Sequence, residues 1–184
     1  MIRCWKTTNP LYVKYHDEEW GVPVHNDSRL FELLVLEGAQ AGLSWSTILK
    51  RRGGYLQAFA NFDVSKVAKF TETDFNQLIE NTGIIRNKLK IRSAINNAKQ
   101  FIKVQKEYGS FKEYIWSFVD NKPIKNTCTT LSDIPAYTPL SKAISKDLKK
   151  RGFNFVGPTI VYAYMQSIGI VNDHITNCYR YNEV

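Results

Sequence analysis

The chain has 184 residues, of which 43% are hydrophobic, 23% are charged and 13% are aromatic, a globular composition that excludes disorder and suits one domain spanning residues 1–184. No run of eighteen apolar residues exists and the first residues lack a signal-peptide profile, so we expect a cytoplasmic protein without a membrane partner. The net charge of +8 favours a polyanionic partner such as nucleic acid.

Helix signals follow one another along almost the whole chain, and they predict an all-α fold. The predicted helix starts are Asp27 or Ser28, Ser44, Asp63, Thr71, about Arg86, Ser110, Thr138-Pro139 and Gly157-Pro158. The predicted helix ends are Gly53-Gly54, Gly109, Gly152 and Gly169. The segments from Cys4 to Gly21 and from Asn121 to Tyr137 lack such signals, and we expect them to be irregular.

Four residues that can bind metal lie at the two ends of the chain: Cys4, His16, His174 and Cys178. The last two are four residues apart, which on a helix would place both on one face. Two thiolates and two imidazoles complete a closed, tetrahedral structural Zn²⁺ site, provided that the fold brings the termini together. The alternative is that His174 caps the last helix and Cys178 packs in the core.

Residues 149–159 predict a tight helix-hairpin-helix turn, which we call the hairpin. Gly152 and Gly157 permit backbone angles and close approaches that other residues do not. The helix that follows offers free N–H groups to a phosphate, and Lys149, Lys150 and Arg151 add mobile positive charge beside it. Such a module grips a DNA backbone without reading its sequence. The alternative is an ordinary corner between two helices with a solvated basic end.

An acidic residue, Glu37, follows an apolar helical stretch and precedes a segment of small residues that ends at Trp45. A carboxylate beside aromatic rings can accept hydrogen bonds from the amine of a nucleobase while the rings stack on its faces. The alternative is a solvated helix end beside an aromatic core. The combination of acid, glycines and aromatic residues favours a pocket.

Three motifs closely resemble the constitutive bacterial 3-methyladenine DNA glycosylase I family: Tyr15–Pro23 (YHDEEWGVP), Leu36–Trp45 (LEGAQAGLSW) and Lys150–Gly157 (KRGFNFVG). The resemblance runs from Arg3 to Cys178. It implies an all-α helix-hairpin-helix glycosylase, expected to act as a monomer, that excises N3-methyladenine from alkylated double-stranded DNA. It also implies a structural zinc that joins the termini through Cys4, His16, His174 and Cys178.

The resemblance also implies a role for each site residue. Glu37 would be the acid that hydrogen-bonds the extruded base, and the pocket walls would be Trp5, Tyr12, Tyr15, Trp20 and Trp45. Gln40 and Leu43 would fill the gap left in the duplex, and we call residues 40–43 the wedge loop. The DNA-binding hairpin residues would be Lys149, Lys150, Arg151, Gly152 and Gly157. Trp5 follows Cys4 directly, whereas relatives usually have one residue between them, so the placement of Trp5 differs from the family pattern.

The expected chemistry is hydrolysis of the glycosidic bond without strand cleavage. No lysine is positioned for Schiff-base chemistry, which predicts a monofunctional enzyme. The resembled family lacks the catalytic aspartate of other helix-hairpin-helix glycosylases. We therefore expect Asp173 to support the metal site or to cap a helix. A zinc-stapled DNA-binding module without catalysis is the alternative function; it explains the charge, the hairpin and the zinc but leaves the Glu37 pocket without a purpose.

Overall fold

Nine α-helices account for most of the chain in the computed structural model, which describes residues 1–184. The helices are α1 (Pro10–Glu18), α2 (Asp27–Gln40), α3 (Trp45–Ala58), α4 (Val64–Val67), α5 (Glu72–Glu80), α6 (Lys88–Tyr108), α7 (Phe111–Ser117), α8 (Pro139–Lys150) and α9 (Pro158–Ser167). Two short strands, β1 (Ile124–Lys125) and β2 (Val171–Asn172), pair in parallel. The predicted helical fold class is therefore confirmed.

Capping side chains begin most of these helices where the sequence predicts them. The predicted caps that accept a backbone N–H of the first turn are Ser44, Asp63, Thr71, Ser110 and Thr138. The start of α2 differs by one residue, because Asn26 is its cap. Asp27 instead accepts the N–H groups of Phe111 and Lys112, both at 2.9 Å, and so joins the start of α2 to the start of α7.

The prediction that Gly53-Gly54 ends a helix is wrong, because α3 continues through both glycines to Ala58. A Cβ on Gly54 would lie 2.2 Å from the carbonyl oxygen of Gly83, whereas one on Gly53 would meet nothing within 4 Å. Gly54 therefore serves close packing of two backbones rather than helix termination. Sequence pattern cannot separate these two uses of glycine.

The prediction of an irregular segment from Cys4 to Gly21 is also wrong, because α1 occupies its centre. Asn9 accepts the backbone N–H of Leu11, and Pro10 stands at the first helical position, a common pair at helix starts. The second predicted irregular segment, Asn121 to Tyr137, contains only β1 and one turn of 3₁₀ helix at Leu131–Asp133.

Helix α2 lies at the centre of the molecule. Residues 30–39 of this helix are all buried, and α3, α6, α7 and α9 pack around it. A helix that is apolar on all sides is covered on all sides, so the carboxyl group of Glu37 is carried into the interior. No helix is both long and apolar enough to span a bilayer.

Candidate functional site

A cavity of about 280 Å³ lies between α1, α2, α9 and the 3₁₀ turn. It is lined by Trp5, Tyr12, Tyr15, Trp20, Glu37, Gln40, Trp45, Leu131, Ile134, Ala163 and Gln166. The structure thus brings together Glu37 and all five predicted aromatic wall residues. The volume is near the lower end for small-molecule sites, which suits one planar heterocycle rather than an extended ligand.

Glu37 is the only acidic residue among the lining side chains. It is 4% exposed and forms no ion pair. Burial raises the pKa of its carboxyl group to about 8, and the hydroxyl of Ser167 lowers that pKa by a smaller amount. An uncompensated carboxyl group in an apolar cavity favours its neutral form until a cation arrives.

The aromatic walls pack against one another around the cavity. The ring of Trp5 lies 5.1 Å from that of Tyr12 and 4.8 Å from that of Trp20, and the rings of Tyr15 and Trp45 are 5.1 Å apart. The indole N–H groups of Trp5 and Trp45 are buried and make no hydrogen bond within the protein. Buried donors normally have partners, so these two groups mark a site that is incomplete without a ligand.

The four predicted metal ligands form one buried group, which we call the terminal cluster: Cys4, His16, His174 and Cys178. Their ligand atoms all lie within 4.8 Å of one another, which is compatible with a shared tetrahedral ion at bond lengths of about 2.0–2.3 Å. Residues 174–178 form a turn rather than the helix that the spacing suggested. The backbone N–H of Cys178 donates to the carbonyl of Ile175 and brings the thiol back toward His174.

Both imidazoles of the terminal cluster are oriented by a neighbour at Nδ1. His16 Nδ1 lies 2.8 Å from a carboxylate oxygen of Asp17, and His174 Nδ1 lies 3.0 Å from the amide oxygen of Asn172. Nε2 of His174 is buried without a hydrogen-bond partner. Metal-binding histidines have this arrangement, with Nδ1 held and Nε2 free to bind. Arg3 in turn holds Asp17 through two nitrogens, at 2.8 and 2.7 Å.

Burial also sets the protonation of the terminal cluster in the absence of an ion. It raises the pKa of the Cys4 thiol to about 12 and lowers the pKa of His174 to about 4. The Cys4 thiol and the His174 imidazole are therefore uncharged in the absence of an ion. An ion that binds here must displace the proton of the Cys4 thiol.

The terminal cluster and the cavity share a wall. The Trp5 ring lies 4.7 Å from that of His16, and the Trp20 ring lies 4.6 Å from that of His174. Both tryptophans also line the cavity. The two sites therefore share two packed side chains, Trp5 and Trp20.

A charged network that the sequence analysis missed holds the end of α1 against α2 and α3. Arg29 and Arg52 each contact both Glu19 and Glu32, with Arg52 at 2.9 and 2.8 Å from the two carboxylates. All four side chains are mostly buried. Because Glu19 precedes Trp20, the network fixes one wall of the cavity. Most of these pairs are distant in sequence, so no local sequence pattern predicts that the four residues contact one another.

The predicted hairpin joins α8 to α9. Lys149, Lys150 and Gly152 are exposed, Gly152 has φ +88°, and Gly157 precedes α9 without a side-chain cap. The first N–H groups of α9 therefore remain available to an anion. Phe155, also in the hairpin, has φ +54°, a conformation uncommon for an aromatic residue.

The expectation of a mobile charge is wrong for Arg151. Its guanidinium contacts Asp147 at 2.6 Å and Glu107 at 2.7 Å, and donates to the hydroxyl of Tyr108 at 2.8 Å. The cation also lies over the rings of Tyr108 and Tyr114. Arg151 thus ties the hairpin to α6 and α7, and only the two lysines beside it are free.

The wedge loop follows the end of α2. Gly42 turns the chain with φ +76°, and Leu43 is 40% exposed. Gln40 lines the cavity, so the loop borders the cavity. Gly38, just before the loop, faces the hairpin: a Cβ there would lie 3.3 Å from the Cβ of Phe155.

Asp173 has neither of the two roles that we expected. Its oxygens accept hydrogen bonds from Asn126 at 2.6 Å, Tyr162 at 2.7 Å and Gln166 at 2.7 Å. It is 1% exposed, caps no helix, and His174 is held by Asn172 instead. Asp173 therefore anchors Gln166, a lining residue of the cavity, and both of its oxygens are already occupied.

Four lining residues were missed: Leu131, Ile134, Ala163 and Gln166. The first two come from the segment expected to be irregular, where Asp133 accepts N–H groups of Thr129 and Thr130 and fixes the 3₁₀ turn. The other two lie on α9, where their spacing of three residues indicates a shared helix face. Only Ala163 and Gln166 could have been predicted from the sequence, through their helical spacing.

Comparison with known proteins gives a consistent result. A sequence model of the methyladenine glycosylase family matches residues 5–181. The DNA-3-methyladenine glycosylase 1 of Escherichia coli (strain K12) is 48% identical over 182 residues, which cover 98% of this chain and 97% of that protein. The DNA-3-methyladenine glycosylase of Haemophilus influenzae is 47% identical over 177 residues, 96% of each.

Solved structures agree in fold. A crystal structure of 3-methyladenine DNA glycosylase I superposes with a TM-score of 0.94 at 49% identity, covering 97% of this chain and 98% of that one. A structure that addresses 3-methyladenine recognition by the Staphylococcus aureus enzyme gives a TM-score of 0.92 at 37% identity, covering 94% and 92%. The chain belongs to the methyladenine glycosylase family.

Proposed function

We propose that this protein is a monofunctional DNA glycosylase that hydrolyses the glycosidic bond of N3-methyladenine in double-stranded DNA, with residues 1–184 forming the single catalytic domain. The relatives named for this activity support the substrate. The observation that carries the proposal is the buried carboxyl group of Glu37, which has no counter-charge in a cavity walled by aromatic rings.

Charge is the basis on which this cavity selects the damaged base. Methylation at N3 makes the base a cation while it is attached to the sugar. Each ring face contributes about 0.5–2 kcal/mol to holding a cation. Because the pKa of Glu37 is about 8 in the empty cavity, ionisation at neutral pH is unfavourable unless a cation offsets it. A neutral adenine supplies no such offset.

Bond cleavage needs little assistance from the protein. The bond between the sugar C1′ and N9 breaks with its electron pair moving to the cationic ring, which leaves as neutral 3-methyladenine. Water adds to C1′ and loses a proton to solvent, which completes the abasic site. Asp173 is not available to assist, since three donors occupy its oxygens, and no lysine lines the cavity for Schiff-base formation.

The DNA contacts fall into two groups. Lys149, Lys150 and the uncapped N–H groups at the start of α9 would hold phosphates without reading sequence. Gln40 and Leu43 in the wedge loop would occupy the space that the extruded nucleotide vacates, offsetting an extrusion cost of a few kcal/mol. The exposure of Leu43 and the position of Gln40 at the cavity support this assignment.

We also propose that the terminal cluster binds Zn²⁺ in a structural role. Two thiols, two oriented imidazoles and the unpartnered Nε2 of His174 fit this ion. Four protein ligands leave no position for a reactive water, so the ion would hold the chain ends together without taking part in the reaction. Trp5 and Trp20, which contact the histidines, would gain rigidity from it.

The decisive experiment is to incubate the protein with methylated duplex DNA and to measure the free bases that are released. We expect 3-methyladenine in solution, and no strand breaks until the abasic sites are treated with alkali. Release of no base would leave the alternative function, a zinc-stapled DNA-binding module. Strand breaks without alkali would contradict the monofunctional assignment.

Glu37→Gln tests the residue that selects the base. We expect excision to fall at least about a hundredfold while the affinity for undamaged duplex is unchanged. The matched control is Glu80→Gln, which removes an exposed carboxyl group from α5. Full activity of the Glu37 variant would exclude the proposed role.

A further inference from the structure

The long helix α6 carries a lysine that the proposed reaction does not use. Lys90 is half-buried, and its Nζ donates to the carbonyl oxygens of Ala39 at 2.8 Å and Ala41 at 2.6 Å. These carbonyls lie at the C-terminus of α2, where unpaired oxygens and the helix dipole attract a cation. No carboxylate pairs with Lys90. The lysine therefore caps the helix that carries Glu37 and fixes the first residues of the wedge loop.

A second polar side chain of α6 holds the hairpin. Asn97 is 3% exposed; its amide nitrogen donates to the carbonyl oxygen of Asn154 at 2.9 Å, and its amide oxygen accepts the N–H of the same residue at 2.8 Å. Asn96 adds a bond to the carbonyl of Gly152 at 2.8 Å. This paired contact satisfies both backbone groups of Asn154 and fixes the hairpin in position and orientation.

The two side chains lie on one face of one rigid element. Lys90 and Asn97 are seven positions apart, which is two helical turns and about 10 Å of helix. Just before the wedge loop, Gly38 of α2 packs against Phe155 of the hairpin. The helical repeat of α6 therefore spaces the two anchoring side chains, and this packing keeps the two segments adjacent.

We propose that Lys90 and Asn97 are positioning residues that hold the wedge loop and the hairpin at the spacing that a duplex with an extruded nucleotide requires. The inference rests on the proposed function, because it presumes that both loops contact DNA. Loss of either contact lets one loop shift relative to the other, and misplacement by about 1 Å can lower a rate a hundredfold. Neither residue lines the cavity, so we expect their loss to affect binding of the free base much less than excision from duplex.

The test uses Lys90→Met and Asn97→Ala in the full-length protein, with Lys103→Met as the control. Lys103 is exposed on the same helix, so its replacement removes the same charge without touching either loop. Three quantities are measured: excision from methylated duplex, affinity for free 3-methyladenine, and the salt dependence of affinity for duplex. We expect excision by the two variants to fall between about ten- and a hundredfold, with a much smaller change in free-base affinity.

The salt dependence separates positioning from direct phosphate contact. A lysine that binds a phosphate contributes about one to the slope of log affinity against log salt. We expect Lys90→Met to weaken duplex binding with no change in that slope. A slope reduced by about one would show that Lys90 binds phosphate and would overturn the inference, as would full excision activity in both variants.

Hydrogen exchange measured residue by residue distinguishes a local shift of one loop from a general loss of folding in the variants. We expect faster exchange in residues 40–43 for Lys90→Met and in 152–157 for Asn97→Ala, with the protection of α9 unchanged. Lys90→Arg, which keeps the charge and the donors, should recover part of the activity. Exchange that rises throughout α9, or no recovery with arginine, would count against a positioning role. Wild-type protein that releases no base would instead refute the proposed function.

Discussion

The terminal cluster and the aromatic cavity are both buried polar sites, yet they are constructed in opposite ways. In the terminal cluster both imidazoles are held through Nδ1, and the four ligand atoms lie within 4.8 Å of one another. In the cavity Glu37 has no counter-charge, and two indole N–H groups have no partner. Under the proposals above, a small ion would complete the first arrangement and a flat organic cation would complete the second. Buried polar groups without partners can therefore indicate the charge and the hydrogen-bonding groups of the ligand that would complete a site.

Removal of metal should give the largest change in stability. Structural zinc contributes up to about 10–16 kcal/mol to small domains; a core of 45 buried residues reduces that dependence here, so we expect a fall in Tm rather than complete unfolding. The measurement is thermal unfolding with and without a chelator, alongside metal analysis of the purified protein. The matched variants are Cys178→Ser, which should mimic chelation, and Cys128→Ser, which should not. An unchanged Tm after chelation would contradict a structural role for the metal.

The next largest effect should be in the pH dependence of stability, which reflects the ionisation of Glu37. Its pKa is about 8 in the folded chain and 4.5 ordinarily, so the folded state binds more protons between these values. The free energy of unfolding should therefore fall as pH rises from about 4.5 to 8, by at most about 5 kcal/mol. Glu37→Gln should abolish this slope, and Glu80→Gln should keep it. The measurement is urea unfolding at several pH values; equal slopes in the wild type and Glu37→Gln would contradict the burial of an uncompensated acid.

Asp173 lies between the two regions, and its replacement should affect stability more than catalysis. Asp173→Asn keeps the size of the side chain but turns one oxygen, which accepts hydrogen bonds, into a donor that faces other donors. We expect a loss of about 1–3 kcal/mol in unfolding free energy and a change in excision rate of less than about tenfold. Unfolding by urea and base release under single-turnover conditions provide the measurements. A rate loss above a thousandfold with intact stability would show that Asp173 acts on the substrate.

Trp45→Phe should give the smallest effect, because the ring face remains while the unpartnered N–H is removed. We expect only a modest loss of stability in the free protein, because the smaller ring fills less of the buried volume but no hydrogen bond within the protein is lost. Affinity for free 3-methyladenine should fall by about 1 kcal/mol or less, measured by calorimetry. Tyr114→Phe is a comparison away from the cavity; it removes a hydroxyl that donates to Asp147 at 2.8 Å and should lower stability without changing base affinity.

Much of this fold could be predicted from interactions between residues that are close in the sequence. Ser44, Asp63 and Thr138 begin helices where their capping side chains predict, because the capping interaction is local. A pocket around Glu37 could also be predicted, since an acid, small residues and aromatic rings lie close together in the sequence. Family resemblance supplied the wall residues and roles that spacing alone left open.

What the sequence by itself determined is therefore the helical class, most helix starts, the family and the residue types at both sites. Only the tertiary structure decided that Gly54 packs rather than terminates, that Arg151 is held by Glu107 and Asp147, and that Leu131 and Ile134 line the cavity. The physical reason is the range of the interactions. Caps and turns act over three or four residues, whereas burial and ion pairing depend on neighbours that are distant in sequence and that folding alone brings together.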